Sequence, residues 1–226
     1  MNLSISKNEL CSYYARQLNN FFPDSSNILP EDINKIVDVA LDKLNYCFKH
    51  VAFSRYFAND QTIYNHLYSD HNIVFTWFLA NAAYKISENA ILSSKLYYLN
   101  KVLHAFDCMY NTDLPDIFLV FHGAGTVLGK AVYDNYFVAL HGCTIGSHKG
   151  KYPVIGKGVA LTAHSAIIGD CTIGNNVSVS IYTSVFQKNI PDNTSVFMNR
   201  ENGKIEMQTS SEPYAQQFFN VNLNSI

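Results

Sequence analysis

The second half of the chain repeats with a period of six residues, which fits neither an amphipathic helix nor an alternating strand. An apolar residue returns at every sixth position from 127 to 145 and again from 155 to 185. These anchors are Val127, Tyr133, Ala139, Ile145, Ile155, Leu161, Ile167, Ile173, Val179 and Val185. Such a repeat predicts a coil of short strands that turns a corner every six residues and closes one triangular turn in about 18.

Small or apolar residues occupy the fourth position after most anchors, as at Cys143, Ser165 and Cys171, where a tight corner needs them. Stacked coils satisfy each other's backbone groups at a strand spacing of roughly 4.8 Å. The run breaks between Ile145 and Ile155, where "GSHKGKYPV" contains turn formers and charges. We therefore expect a loop, residues 147–154, to project from the coil.

Residues 1–105 show instead the three- and four-residue spacing of amphipathic helices. Pro30, followed by Glu31 and Asp32, suits a helix start. We expect four or five helices, near residues 6–20, 30–51, 60–68, 71–86 and 89–106. The prediction is an α+β protein with an α-helical domain (1–105), a parallel coil of hexapeptide repeats (106–200), and a cap strand with a partly mobile tail (201–226).

Charge and composition argue against several classes of function. The chain has 16 Lys and Arg against 18 Asp and Glu, and no basic run, so we expect it to bind neither nucleic acid nor a membrane. Its longest apolar stretches are shorter than the roughly 20 residues of a membrane helix, and its first residues do not resemble a signal peptide. Five scattered cysteines show no disulfide-like or zinc-like spacing. We expect a cytoplasmic protein with reduced cysteines.

Three segments resemble a known family: "HGAGTVLGKAVYDNYFVALHGCTIGS", "VIGKGVALTAHSAIIGDCTIGNNVSVSIYTSVF" and "QKNIPDNTSVF". They are similar to the hexapeptide-repeat acyltransferases, which fold as a left-handed parallel β-helix, and within them to the serine acetyltransferase branch. The resemblance covers roughly residues 105–197. It implies an acetyl-CoA-dependent O-acetyltransferase that needs no metal. It also implies a homotrimer, which can pair into a dimer of trimers, with the loop 147–154 crossing to a neighbour.

The same resemblance implies a general base and a carboxylate that orients it. His122 precedes the "GTVLG" turn as the family's base does, and Asp107 lies fifteen residues upstream, at the position of the carboxylate. Asp113 and Asp116 are nearer and are alternatives for the orienting role. Counting back from Val127 puts an anchor at Phe121, so His122 should point outward rather than into the core.

Counting about 18 residues forward from His122 reaches His141, which we expect roughly 5 Å away in the same groove. A neutral imidazole suits removal of a hydroxyl proton at cytosolic pH, and a backbone N–H or His141 would stabilise the oxyanion. A histidine is more commonly a packed or solvated residue than a catalytic one. The alternative is therefore that His122 has no part in catalysis. Cys143 reads as structural, and His148 either is solvated or reaches a neighbouring site.

Positions that match the family's acyl-donor contacts are Gly146, Ser147, Ala163 and Lys188. Three others depart from the serine-using enzymes. Phe121 replaces an aspartate, Tyr152 replaces a histidine before the loop proline, and His164 replaces a glycine.

The first two departures argue against serine, so we expect a sugar or sugar nucleotide as acceptor, with Phe121, Asp116 and Tyr152 as candidate contacts. Three alternatives remain open. The first is a serine O-acetyltransferase with an altered acceptor site, and the second is a non-catalytic scaffold. The third is a metal-dependent hydratase, similar to γ-class carbonic anhydrase, that would use His122, His141 and His164.

Overall fold

A computed structural model describes residues 1–87 and 89–226. The first half contains four helices and a small sheet, which confirms the predicted helical region. The helices are α1 (Lys7–Phe21), α2 (Pro30–Phe48), α3 (Ser69–Lys85) and α4 (Ala90–His104). The three-stranded sheet contains β1 (Asn2–Leu3), β2 (Phe57–Ala58) and β3 (Gln61–Tyr64), in the order β1-β3-β2.

Local sequence accounts for the helix starts. The Ser6 hydroxyl accepts a hydrogen bond from the backbone of Glu9, whose carboxylate accepts one from the Ser6 N–H, so α1 begins with a capping box. Pro30 opens α2 with Glu31 and Asp32 in its first turn, as predicted. Helix α3 is buried along most of its length, because the other helices and the first coil pack around it.

One expected helix is absent from the described residues. Residues 60–68 were expected to be helical, but they contain β3 and a turn. Thr62 and Tyr64 are buried while Gln61 is exposed, so the segment has the alternating burial of a strand rather than a helical stripe. The β-branched and aromatic residues of this strand, Thr62, Ile63 and Tyr64, favour that outcome.

The second half is a parallel β-helix of about four turns, which confirms the fold predicted from the six-residue repeat. Its three sheets have the strand orders β16-β15-β13-β10-β7-β4, β14-β11-β8-β5 and β12-β9-β6. The strands are β4 (Phe118–Val120), β5 (Val127–Leu128), β6 (Val132–Tyr133), β7 (Phe137–Ala139), β8 (Thr144–Gly146), β9 (Val154–Ile155), β10 (Ala160–Leu161), β11 (Ala166–Ile168), β12 (Thr172–Ile173), β13 (Ser178–Val179), β14 (Ser184–Phe186), β15 (Thr194–Met198) and β16 (Ile205–Thr209).

Three buried columns fill the coil. On the three faces they are, in register, Val120, Ala139, Leu161, Val179 and Val196; Leu128, Ile145, Ile167 and Val185; and Tyr133, Ile155, Ile173 and Ile190. The anchor predicted at Val127 was wrong by one place, because Val127 is exposed and Leu128 points inward. From Tyr133 onward the predicted anchors are the buried ones.

The segment after the coil differs from the expected mobile tail. Strand β16 pairs antiparallel with β15, and residues 213–223, the C-terminal strap, then run back to the helical half. The N–H of Ala52 donates to the carbonyl of Phe218 at 2.9 Å, and Val51 bridges Phe219. Phe218 packs against Phe53 and Phe121. The strap therefore ties the end of the coil to the helices.

No helix within residues 1–87 and 89–226 has the length and apolar character needed to cross a membrane.

Phe218→Ala should lower the free energy of unfolding by about 3–5 kcal/mol, because it empties a buried aromatic site between the strap and the helical half. Phe21→Ala is the matched control, since Phe21 is 47% exposed, and should change stability by about 0.5 kcal/mol or less. Urea unfolding followed by circular dichroism measures both. Equal stability of the two variants would show that the strap does not dock.

Candidate active site

His122 projects from an expanded corner of the first coil. Eight positions separate the inward residues Val120 and Leu128, whereas six separate Ala139 from Ile145, their register partners one coil on. The two additional residues leave the coil as an outward turn at His122, whose φ is +54°. The prediction that His122 points outward agrees with the structure, although the cause is this expansion and not an anchor at Phe121.

The turn is held against the helical half by close packing. Gly123 is buried, and a Cβ at this position would lie 2.9 Å from Cδ1 of Ile73 in α3. The Gly125 N–H donates to the carbonyl of Ala105, the C-cap residue that follows α4. The missing side chain at Gly123 therefore lets α3 approach the corner that carries His122.

The carboxylate beside His122 belongs to Asp70, in the first turn of α3. The His122 backbone N–H donates to Oδ1 of Asp70 at 3.0 Å, and Oδ2 lies 3.4 Å from Nδ1 of the His122 ring. The Asp70 side chain is 2% exposed, whereas that of His122 is 65% exposed. Burial raises the pKa of Asp70, and the hydrogen bond and charge of His122 act in the opposite direction.

Asp107, the predicted orienting carboxylate, does not contact His122, and this placement was wrong. Its Oδ2 accepts a hydrogen bond from Nζ of Lys101 at 2.6 Å, and its Oδ1 accepts one from the Tyr97 hydroxyl at 2.8 Å. Burial raises the pKa of Asp107, but these two hydrogen bonds and the charge of Lys101 together outweigh burial, and the pKa lies below its usual value. A carboxylate held by two donors on α4 is not available to the imidazole.

The two alternative carboxylates also lie elsewhere. Asp113 forms an exposed ion pair with Lys85 at 3.2 Å. Asp116, also a predicted acceptor contact, is 3.9 Å from Nζ of Lys43 and exposed. Neither side chain lines the cleft at His122.

That cleft has a volume of about 480 Å³ and lies between the first turn of α3, the last turn of α4 and the turn 122–124. His122, Asp70 and Ser69 line it, with Ile73 and Val102 as apolar walls. His104 also lines it, and burial lowers the pKa of this imidazole to about 4. His104 is therefore neutral near pH 7, and its buried Nε2 has no hydrogen-bond partner within the described part of the chain.

His141 does not line the cleft at His122. The Gly142 N–H donates to the carbonyl of Ala124, and the His164 N–H donates to the carbonyl of His141. The ring of His141 packs edge-on against His164 at 5.0 Å between centroids, and His164 stacks on Tyr182 at 5.0 Å. The three rings form a ladder down one corner, toward the later coils.

The predicted acyl-donor residues follow the four-stranded sheet. Gly146 ends β8 in register with Phe186, and Ser147 and Lys188 lie just beyond these two strands on the surface. Ala163 lies in the turn before β11, at the other end of the strands, where its carbonyl accepts from the Tyr182 N–H. The predicted contacts thus lie at both ends of the strands of this sheet.

The loop 147–154 contains a tight turn, which is closed by an antiparallel bridge between His148 and Lys151. The His148 ring packs on Phe186 at 5.0 Å. The crossing of this loop to a neighbouring subunit stays a prediction. Tyr152 is exposed. Phe121, in contrast, lies beside the cleft, with its ring 4.5 Å from that of His122 and 5.6 Å from Phe53.

The alternative set of metal ligands is not brought together within one chain. His122 contacts Asp70 and Phe121, whereas His141 and His164 contact each other. Among the described residues, no three His, Cys, Asp or Glu side chains are grouped closely enough to hold a metal ion.

Sequence reasoning missed Asp70, His104 and Tyr182. Asp70 and His104 lie in the helical half without a recognisable motif around them, and nothing local indicates that both reach the first coil. Tyr182 could have been found, since it lies 18 positions after His164.

Comparison with known proteins supports the resemblance. No protein-family model matches the chain. Serine acetyltransferase of Buchnera aphidicola subsp. Acyrthosiphon pisum is 30% identical over 102 residues. The match covers 42% of this chain and 36% of that protein. The chain thus matches little more than a third of this relative.

Two solved structures share the fold. Serine acetyltransferase of Brucella abortus in complex with coenzyme A has a TM-score of 0.69 at 18% identity, covering 93% of this chain and 84% of that one. The enzyme of Neisseria gonorrhoeae has a TM-score of 0.68 at 19% identity, covering 96% and 84%. The predicted resemblance to hexapeptide-repeat acyltransferases of the serine acetyltransferase branch is confirmed.

Gly142→Ala should be more destabilising than Gly150→Ala. Both glycines have positive φ, so each substitution costs roughly 1–2 kcal/mol in backbone strain. Only at Gly142 would the new Cβ also overlap the His164 ring, whereas nothing lies within 4 Å of it at Gly150. Thermal unfolding of both variants, and of Gly142→Ala combined with His164→Gly, measures the difference. If removing the His164 ring restores no stability to Gly142→Ala, the ladder is misplaced.

Proposed function

We propose that the protein is an acetyl-CoA-dependent O-acetyltransferase in which His122 is the general base. One observation carries the proposal: an exposed imidazole, with a buried carboxylate on one ring nitrogen, lines a cleft on the scaffold of the serine acetyltransferases. A positioned imidazole of this kind suits transfer of an acyl group to a hydroxyl.

The reaction uses His122 twice. Its Nε2 takes the proton of the acceptor hydroxyl while the hydroxyl oxygen forms a bond to the thioester carbonyl carbon. The tetrahedral intermediate then collapses, the C–S bond breaks, and the imidazolium returns the proton to the CoA thiolate. The products are an acetyl ester and CoA, and no acyl-enzyme forms. A donor for the oxyanion, from a backbone N–H or from His141, remains a prediction.

Acetyl-CoA is the proposed donor. The Brucella abortus structure is a complex with coenzyme A, and the two chains share one fold. Gly146, Ser147, Ala163 and Lys188 remain the predicted contacts. Gly146, Ser147 and Lys188 lie at or just beyond strand ends of one sheet, and Ala163 lies in the turn that precedes β11 of the same sheet.

A sugar or sugar nucleotide is the proposed acceptor. Within the described residues the cleft lining contains no lysine or arginine to pair with the carboxylate of an amino acid. The neutral imidazole of His104 and the hydroxyl of Ser69 suit uncharged hydroxyl groups, and Phe121 offers an apolar ring beside them. Tyr152 remains a predicted contact, because it stands before Pro153, where the resembling enzymes have a substrate-binding histidine. The similarity to the Buchnera aphidicola enzyme supports serine as the second candidate.

A homotrimer remains part of the proposal, as do a dimer of trimers and a cytoplasmic location. The coil exposes apolar side chains that a neighbouring subunit would cover. Val132 and Val154 are register partners on one face, and Ile181 and Tyr182 are adjacent at a corner.

An assay of acetyl-CoA consumption should show turnover with sugars or nucleotide sugars and little with serine, because the cleft suits neutral hydroxyl compounds. The panel should contain amino acids, sugars and nucleotide sugars at equal concentration. Rapid turnover with serine alone would contradict the sugar acceptor and favour the second candidate, and no turnover with any compound would contradict the enzyme itself.

His122→Ala should lower kcat by about 10²–10⁴-fold, the usual contribution of a positioned base. Its melting temperature and its affinity for CoA should change little, because the ring is exposed and the backbone bond to Asp70 is retained. His50→Ala is the control, a histidine of the helical half whose ring bonds the Tyr46 carbonyl and does not line the cleft. A His122→Ala protein that turns over at the wild-type rate would refute the assignment.

A further inference from the structure

We infer that Asp70, contributed by the helical half, is the positioning residue that fixes the ring and the tautomer of His122. The inference rests on the proposed role of His122 as the base. It assigns a task in catalysis to the helical half.

A single carboxylate holds His122 at two points. Oδ1 of Asp70 accepts from the backbone N–H at 3.0 Å, and Oδ2 lies 3.4 Å from Nδ1 of the ring. The first contact fixes the main chain at φ +54°, a conformation that few residues with a side chain adopt. The second contact fixes which edge of the ring faces the protein. Nε2 is then the nitrogen left for the cleft.

Asp70 is itself held in place. It lies in the first turn of α3, where the helix dipole favours a negative charge. The Tyr68 hydroxyl lies 3.4 Å from Oδ2, and the Arg55 guanidinium donates to that hydroxyl at 2.8 Å. Arg55 thus acts on Asp70 through Tyr68 and not by a direct ion pair. Ile73, one turn along the same helix, packs on Gly123, so the helix that carries Asp70 is in close contact with the turn.

The chemistry of the pair selects one tautomer. An ionised carboxylate only accepts hydrogen bonds, so Nδ1 must carry the proton when the ring faces Asp70. The neutral imidazole then presents an unprotonated Nε2 to the acceptor hydroxyl. When Nε2 takes up the proton of the acceptor hydroxyl, the adjacent carboxylate stabilises the imidazolium. The attraction is strong because the Asp70 side chain is almost completely buried.

Asp107, the carboxylate that the family resemblance assigns to this role, is bound to Lys101 and Tyr97 instead. Asp70 is 52 residues from His122 along the chain, so the carboxylate beside His122 lies on α3 and not in the coil.

Kinetics of Asp70→Asn test the inference. The amide can still accept from the His122 N–H, but it can also donate to Nδ1, which favours the tautomer with the proton on Nε2. The same change in a buried Ser-His-Asp triad lowers kcat by about 10⁴-fold. Because the His122 ring is exposed, we expect a fall in kcat of about 10²-fold with little change in the KM for acetyl-CoA. Asp38→Asn, at an exposed ion pair with Lys7, is the control. A larger loss of kcat in Asp107→Asn than in Asp70→Asn would overturn the inference.

A second measurement does not depend on turnover. ¹⁵N NMR of the imidazole nitrogens, assigned with His122→Gln, reports the tautomer of His122. We expect Nδ1–H in the wild-type protein and a shift toward Nε2–H in Asp70→Asn. A wild-type protein that is mainly Nε2–H would overturn the role of Asp70. Failure of the wild-type protein to consume acetyl-CoA would instead refute the proposed function. The two results are separable, because the NMR measurement of the tautomer does not require turnover.

Discussion

Hydrogen bonding between successive coils is the constraint on which the second half of the structure depends. Each coil satisfies the backbone groups of the next, so the inward residues must stay in register, as Leu128, Ile145 and Ile167 do. Additional residues cannot enter a strand without breaking that register. They leave between strands, as they do in the loop 147–154 and at the corner that carries His122. The exposed imidazole is therefore a consequence of strict packing on both sides of it.

The helical half completes this corner. Without Asp70 and His104, the turn 122–124 would present a histidine to open solvent on one side of a coil. With them, the same turn lines a cleft whose buried groups are a carboxylate and a neutral imidazole. The C-terminal strap joins the arrangement from the other end of the chain, since Phe218 packs on Phe121, the neighbour of His122. The site thus draws on three distant parts of the sequence.

Local periodicity accounts for what the sequence could predict. The buried columns from Tyr133 onward repeat within each coil, so their positions follow from counting. Counting failed at Val127, because a uniform coil was assumed across the expanded corner between Val120 and Leu128. The partner of His122 was assigned to Asp107 by resemblance, but a contact between Asp70 and His122 depends on how α3 docks, and no local pattern encodes that. The strap was missed for the same reason.

A crystal structure of the protein with CoA would test the account most directly. The account predicts that the CoA sulfur lies beside Nε2 of His122, at the mouth of the cleft, while Asp70 stays on Nδ1. A sulfur bound away from His122, or a carboxylate other than Asp70 on Nδ1, would contradict it.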